Sequence, residues 1–381
     1  MTQPFFVLIL QTYLLAGDKL VLVEYFVNEV VGMLKNTYLK TFATAAISSA
    51  ALLGVGVHNA YAASFNSISR IYAFGDSYSD NGAALRITTA AVEAGVPGAF
   101  IFPRLDVYDS DGRWTNNPGL TSVEVVAKQE KLQLTNYAVG GAKSGNGNLS
   151  TWLDQYQDTG LFGQIKEYKT EVNRVADSKG LYFLFISTSD LSERFFYNQT
   201  SSVDALADAA VNNIASGVSQ LAALGAKQFF VVNSTDLAAL PLFEKYSQEA
   251  AEFRDVINEN LPSQLDILSK QLDVEVALYD HVAISNKIRS TPQAYGLTNI
   301  NDACELLYFP AASVPGCSIP DNYYYYDEIH PTRRVHQIIG EDMTNFLQTQ
   351  KTTPVPEPSN FLAYIFCMGV IILLRRKVHS N

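Results

Sequence analysis

Several residue types are scarce or missing, and each absence narrows the function. Cysteine occurs three times in 381 residues, too few for a disulfide scaffold or a Cys-rich zinc site. Basic blocks are missing outside Arg375-Arg376-Lys377, and the net charge is −11, which argues against a nucleic-acid partner. No Gly-x-Ser-x-Gly elbow occurs, so the usual α/β-hydrolase arrangement does not apply. There is no His-Glu-x-x-His pair, no phosphate-cradling Walker loop and no internal repeat. Charged residues make up only 17%, against 48% hydrophobic ones, so the chain can bury a core and is not of the disordered class.

Both ends read as separate from the fold. Lys35 and Lys40 precede an apolar or small stretch, Phe42 to Val57, which is followed by Ala60-Tyr61-Ala62. That order is expected of a secretory signal over 33–62. Met33 then reads as the natural start, with 1–32 an upstream over-annotation. The competing reading of an N-terminal membrane anchor is weakened by Asp18, Lys19, Glu24 and Glu29, which interrupt any span of membrane length. At the other end, 351–381 reads as a linker and tail. Val355-Pro356-Glu357-Pro358-Ser359 precedes an apolar run over 361–374, and the basic cluster 375–377 closes it. The three parts in this order resemble the PEP-CTERM sorting tail of exported bacterial proteins. The resemblance implies removal of the tail by an exosortase-type enzyme and release to the envelope or exterior. A plain C-terminal anchor, with its basic cluster on the cytoplasmic side, predicts the same compartment.

Between the ends, 63–350 has the size of one α/β domain. Short apolar runs over 69–74, 134–139, 180–186, 228–232 and 274–279 read as strands. Helical spacing covers 120–128, 203–224, 244–271 with a break expected at Pro262, and 333–347. Alternation of this kind calls for a parallel sheet with helices on both faces, and functional residues past the carboxyl ends of its strands.

The first strand runs into Gly75-Asp76-Ser77. A serine there can project its hydroxyl and offer its own N–H, as an acyl-transfer nucleophile must, although the tripeptide alone is also an ordinary turn. Five histidines occur, and His58 and His379 fall in the ends. His330 follows Asp327 by three residues, close enough for the carboxylate to turn back onto the imidazole. His336 lies inside the last helix and reads as structural. His281, after Asp280 at a strand end, is the rival base.

Phe74-Gly75-Asp76-Ser77-Tyr78-Ser79-Asp80-Asn81-Gly82 and Asp327-Glu328-Ile329-His330-Pro331-Thr332 resemble the first and last blocks of the GDSL lipase/acylhydrolase family, the SGNH hydrolases. Gly112-Arg113-Trp114-Thr115-Asn116 and Asn136-Tyr137-Ala138-Val139-Gly140-Gly141-Ala142 resemble intermediate blocks in the same order. The resemblance implies a three-layer α/β/α sandwich with a central parallel sheet. It implies Ser77 as nucleophile, His330 as base and Asp327 as its orienting acid, with the Ser77 and Gly141 N–H groups as oxyanion donors. It also implies that no metal or organic cofactor takes part. The family's remaining donor is an asparagine in Gly-x-Asn-Asp; here Ile186-Ser187-Thr188-Ser189-Asp190 puts Ser189 in its place and Ser187 in that of the glycine. Cys304 and Cys317 precede the Asp–His segment and are expected to pair in an oxidising compartment.

The expected function is therefore an exported serine esterase or lipase acting through an acyl-enzyme on a lipid, an acetylated glycan or a small ester. The alternative is a catalytically weak surface or matrix protein that keeps the fold and binds glycan. Tyr323 to Tyr326 can line an acyl or sugar site, or simply fill the interior.

Overall fold

The computed structural model describes residue Phe65 and residues 67–197, 200–307 and 316–352. The signal and upstream readings over 1–62, and the sorting-tail features over 355–377, lie outside the described residues. Within them, no helix is long and apolar enough to cross a membrane.

The elements alternate along the chain. They are β1 (Arg70–Gly75), α1 (Ala83–Glu93), α2 (Ser122–Glu130), β2 (Gln133–Asn136), α3 (Leu161–Glu171), β3 (Leu181–Phe185), α4 (Thr188–Tyr197), α5 (Val203–Ala223), β4 (Gln228–Val232), α6 (Ser247–Leu272), β5 (Glu275–Tyr279) and α7 (His281–Ser290). A short pair, β6 (Asn299–Ala303) and β7 (Tyr323–Tyr325), precedes α8 (Arg333–Thr352). Helix α8 reaches Thr352, into the segment read as linker.

The main sheet is parallel throughout, in the order β2-β1-β3-β4-β5, with helices on both faces. This is the three-layer α/β/α arrangement expected. β3 and β4 are buried at every residue, so their sequences do not alternate. Register partners stack across the strands: Tyr72 on Tyr182 and Phe183 on Phe230, both at 5.3 Å. Each buried ring contributes about 2 to 3 kcal/mol. The chain leaves β1 toward β2 on one side and later returns to β3 on the other. That reversal opens a crevice at the carboxyl end of β1.

Two expectations need correction. Helix α6 runs unbroken through Pro262. Pro262 is exposed, so the carbonyl it frees can face water, while Phe253, Ile257, Leu261 and Leu265 form one buried stripe across it. Burying that stripe outweighs the roughly 3 kcal/mol a helical proline costs. The second strand stops at Asn136, although Tyr137 and Val139 still donate to the β1 carbonyls of Ala73 and Gly75.

Candidate active site

Ser77 lies at the carboxyl end of β1, at the topological reversal. The chain can turn there because residue 75 is glycine: a Cβ would sit 2.4 Å from the Phe185 carbonyl oxygen. The turn closes through Ser79 and Asp80 N–H groups donating to the Asp76 carbonyl. The Asp76 side chain, pushed up to about 6 by burial, accepts from the N–H groups of Tyr78 and Ser187. It thereby joins the ends of β1 and β3.

Ser77 Oγ is 2.8 Å from His330 Nε2, and His330 Nδ1 is 2.7 Å from Asp327 Oδ2. Asp327 Oδ1 accepts the N–H groups of Ile329 and His330 at 2.7 and 2.6 Å. One carboxylate thus folds its own loop and holds the imidazole, which is what the three-residue spacing allows. Tyr108 donates its hydroxyl to Asp327 Oδ2 as well. Burial pushes Asp327 upward, but the His330 charge and the bonds from His330 and Tyr108 outweigh it and hold the carboxyl below its ordinary range. An ionised carboxylate only accepts, so Nδ1 carries the proton and Nε2 is left to accept from Ser77. Tyr78 ties the two loops together by donating to the Ile329 carbonyl at 2.8 Å.

The loop after β2 supplies Gly141, which has φ +78°, and a Cβ there would meet Asn148 Oδ1 at 2.5 Å. Its orientation is fixed on both sides. The Gly140 N–H donates to Asp80 Oδ2 at 2.8 Å, and Asn148 Nδ2 donates to the Gly140 carbonyl at 2.9 Å. Asp80 also receives the N–H groups of Gly82, Ala83 and Ala84 at the start of α1, and the Trp114 indole N–H. Ser77, Gly141, Ser189 and His330 all border one cleft. Ser189 stands in the first turn of α4. Its neighbours Thr188 and Ser192 engage their hydroxyls with Thr235 and with the Thr188 carbonyl, whereas among the described residues the Ser189 hydroxyl has no hydrogen bond. Asp190, pushed up to about 6 by burial, accepts from Ser144 N–H and Oγ and ties α4 to the Gly141 loop.

The rival base stands elsewhere. His281 is buried against Phe185 and Tyr78 and makes no hydrogen bond through either ring nitrogen. His336 is structural: its Nδ1 meets Ser122, and burial lowers it to about 3. Tyr323 to Tyr326 do not border the cleft: Tyr324 bonds Ser285, and Tyr326 donates to the Val107 carbonyl. Cys304 and Cys317 form the expected disulfide. Beside it, Cys304 and Glu305 N–H groups donate to the Tyr325 and Tyr326 carbonyls, just ahead of Asp327. No metal-ligating cluster occurs among the described residues.

Sequence reasoning gave no role to Tyr108, Trp114 or Asp80. Trp114 lies within a recognised block and Asp80 close behind Ser77, so their positions were signalled. Tyr108 carried no signal, because only the tertiary fold brings it to Asp327.

The family model of the GDSL-like lipase/acylhydrolases matches residues 71–343. Among curated relatives, the thermolabile hemolysin of Vibrio parahaemolyticus is 26% identical over 290 residues, covering 72% of this chain. The chain spans 63% of the hemolysin's length. An acetylesterase of Hypocrea jecorina is 22% identical over 311 residues, covering 71% of this chain and 86% of the relative. Among solved structures, a carbohydrate acetylesterase from Sinorhizobium meliloti is 13% identical, covering 74% of this chain and 98% of that one, at a TM-score of 0.36. By the extent of the family match, the chain belongs to the GDSL-like lipase/acylhydrolases, a family of carboxylic ester hydrolases.

Proposed function

We propose that the chain hydrolyses carboxylic esters through an acyl-enzyme on Ser77. The observation that carries this reading is the unbroken hydrogen-bond chain from Ser77 Oγ through His330 to Asp327 Oδ2, at 2.8 and 2.7 Å, opening on a cleft. Ser77 Oγ attacks the ester carbonyl carbon as its proton passes to His330 Nε2. Asp327 stabilises the imidazolium without taking its proton. The oxyanion is held by the N–H groups of Ser77 and Gly141, with the Ser189 hydroxyl as third donor. His330 returns the proton to the departing alcohol. Water then attacks the acyl-enzyme, giving its proton to His330, and the acid leaves with Ser77 restored.

The test is pre-steady-state hydrolysis of p-nitrophenyl butyrate. A burst of p-nitrophenol matching the enzyme concentration, lost in Ser77→Ala, is expected. Turnover that survives in Ser77→Ala would refute the nucleophile. Failure of both hydrolysis and Ser77 labelling would favour the glycan-binding alternative.

Export completes the proposal. It is supported by the signal-like order over 33–62, the linker and tail over 351–381, of which an exosortase-type enzyme would remove the part beyond about Pro358, and the Cys304–Cys317 disulfide, which suits an oxidising compartment. Mass spectrometry of exported protein should give an N-terminus near Ala63 and no peptide beyond about Pro358; a retained tail would contradict the sorting reading.

A further inference from the structure

Asp327 is fully buried, and its carboxylate accepts four hydrogen bonds, as many as its two oxygens have lone-pair sites. Three come from its own loop: the Ile329 and His330 N–H groups on Oδ1, and His330 Nδ1 on Oδ2. The fourth crosses from a distant part of the chain. The Tyr108 hydroxyl donates to Oδ2, the oxygen that also receives Nδ1.

The segment that carries Tyr108 is pinned on both sides of it. The Tyr108 N–H donates to the Arg104 carbonyl and the Asp109 N–H to the Thr115 carbonyl, both at 2.9 Å. The Asp109 carboxylate accepts from the Asp111 and Gly119 N–H groups and from the Arg113 guanidinium. A second bond ties the same two loops in the opposite sense: Tyr326, next to Asp327, donates its hydroxyl to the carbonyl of Val107, next to Tyr108. The Tyr108 ring is buried and stands edge-on to Trp114 and His330, at 5.3 and 6.1 Å.

We propose that Tyr108 is a positioning residue of the triad: by sharing Oδ2 with His330 Nδ1, its hydroxyl fixes the carboxylate against the imidazole and offsets part of the charge that the imidazole feels. The inference rests on the Ser77–His330–Asp327 esterase reading. Without the hydroxyl, Asp327 keeps its charge but loses a donor that spreads it. The imidazolium is then held more tightly, so Nε2 is freed as a base only in more alkaline solution. Activity should therefore fail earlier on acidification. The other titratable groups around the pair keep their own partners. Tyr78 bonds the Ile329 carbonyl, Asp76 the Tyr78 and Ser187 N–H groups, Glu328 the Leu307 N–H, and His336 Ser122.

Two measurements on the full chain test the role. In the pH profile of kcat/KM for p-nitrophenyl butyrate, Tyr108→Phe, which keeps the ring, should move the acid limb up by about half a pH unit. Its plateau kcat should fall about three- to tenfold, with KM within about twofold of wild type. In Asp327→Asn, where the carboxylate charge is gone, adding Tyr108→Phe should leave the limb in place. An unmoved limb in the single variant, or an equal movement in the Asp327→Asn background, would overturn the role. A rise in KM alone would overturn it too, by making the hydroxyl a substrate contact. Ring ¹⁵N NMR titration reads the same shift without turnover: the His330 midpoint, assigned by its loss in His330→Ala, should rise in Tyr108→Phe. An unmoved midpoint in a chain that hydrolyses the ester would overturn the inference and leave the esterase reading intact. A raised midpoint in a chain that hydrolyses no ester would support the inference and sink the esterase reading alone.

Discussion

His330 and His281 occupy regions of similar burial, 2% and 4% exposed, and both face the Tyr78 ring, at 6.0 and 6.2 Å. Both also follow an aspartate closely. Yet His330 bonds through both ring nitrogens and His281 through neither. Spacing makes the difference. Asp327, three residues before His330, can fold its carboxylate back over the loop. Asp280, adjacent to His281, instead caps α7 through the Ala283 N–H and accepts from Asn233. Left against Phe185 and Tyr78, the His281 imidazole is lowered to about 4 by burial, against the opposing pull of Asp280. Burial alone does not set His330 apart from His281; its partners do.

The contrast can be broken most forcefully by exchanging the losses. His330→Ala should lower kcat by about 10⁴- to 10⁶-fold with the fold intact, as should Ser77→Ala, because these groups act as a unit. His281→Phe should stay within a few-fold of wild type in the same p-nitrophenyl ester assay. The reverse ranking would contradict the assignment of the base. Asp327→Asn comes next, with an expected loss of about 10²- to 10⁴-fold, since an amide no longer fixes the proton on Nδ1. A loss no larger than that of Tyr108→Phe would place the orienting role on the tyrosine instead.

A smaller effect in the opposite direction is expected at Ser189. Serine is shorter than asparagine by an amide group, and a missing oxyanion donor costs about 10²- to 10³-fold. In the proposed oxyanion hole Ser189 takes that asparagine's place, so Ser189→Asn should raise kcat by about tenfold with little change in KM. No gain, together with a silent Ser189→Ala, would remove Ser189 from the oxyanion hole. Ser187→Gly alongside tests whether the Ser187 side chain crowds the new amide.

The smallest expected effect concerns stability. Both His281 ring nitrogens are buried without partners, so His281→Phe should stabilise the fold by about 1 to 2 kcal/mol at pH 7. In wild type, an unfolded histidine takes up a proton near pH 6.5 that folded His281 refuses until about pH 4. Its contribution to stability is therefore present above 6.5 and is lost as pH falls through that window, by up to about 3 kcal/mol. The advantage of His281→Phe should accordingly widen between pH 7 and pH 5 in urea denaturation; an advantage that shrinks would place a proton or partner on His281.

Much of this was legible before the fold was known. β1, β3 and β4 announced themselves as short apolar runs, and the triad positions as motif blocks at strand ends. The first turn of α4 was hidden because Thr188-Ser189-Asp190 is polar and follows β3 directly, so it read as a strand end. Helix α1 starts on Asp80, whose five hydrogen bonds reach residues as distant as Trp114 and Gly140. Tyr108 lies in a segment without periodicity. Its bond to Asp327 spans 219 residues of sequence, which no local pattern encodes. Pro262 misled for the opposite reason: a strong local signal was overruled by the buried stripe of α6.

The central claim is tested most directly by a fluorophosphonate probe on the full chain, with the modified peptide located by mass spectrometry. One adduct per chain, on Ser77, formed at near wild-type rate in His281→Phe and at least 10³-fold more slowly in His330→Ala, is the predicted result. An adduct on another residue, or labelling of Ser77 that depends on His281 rather than His330, would contradict it.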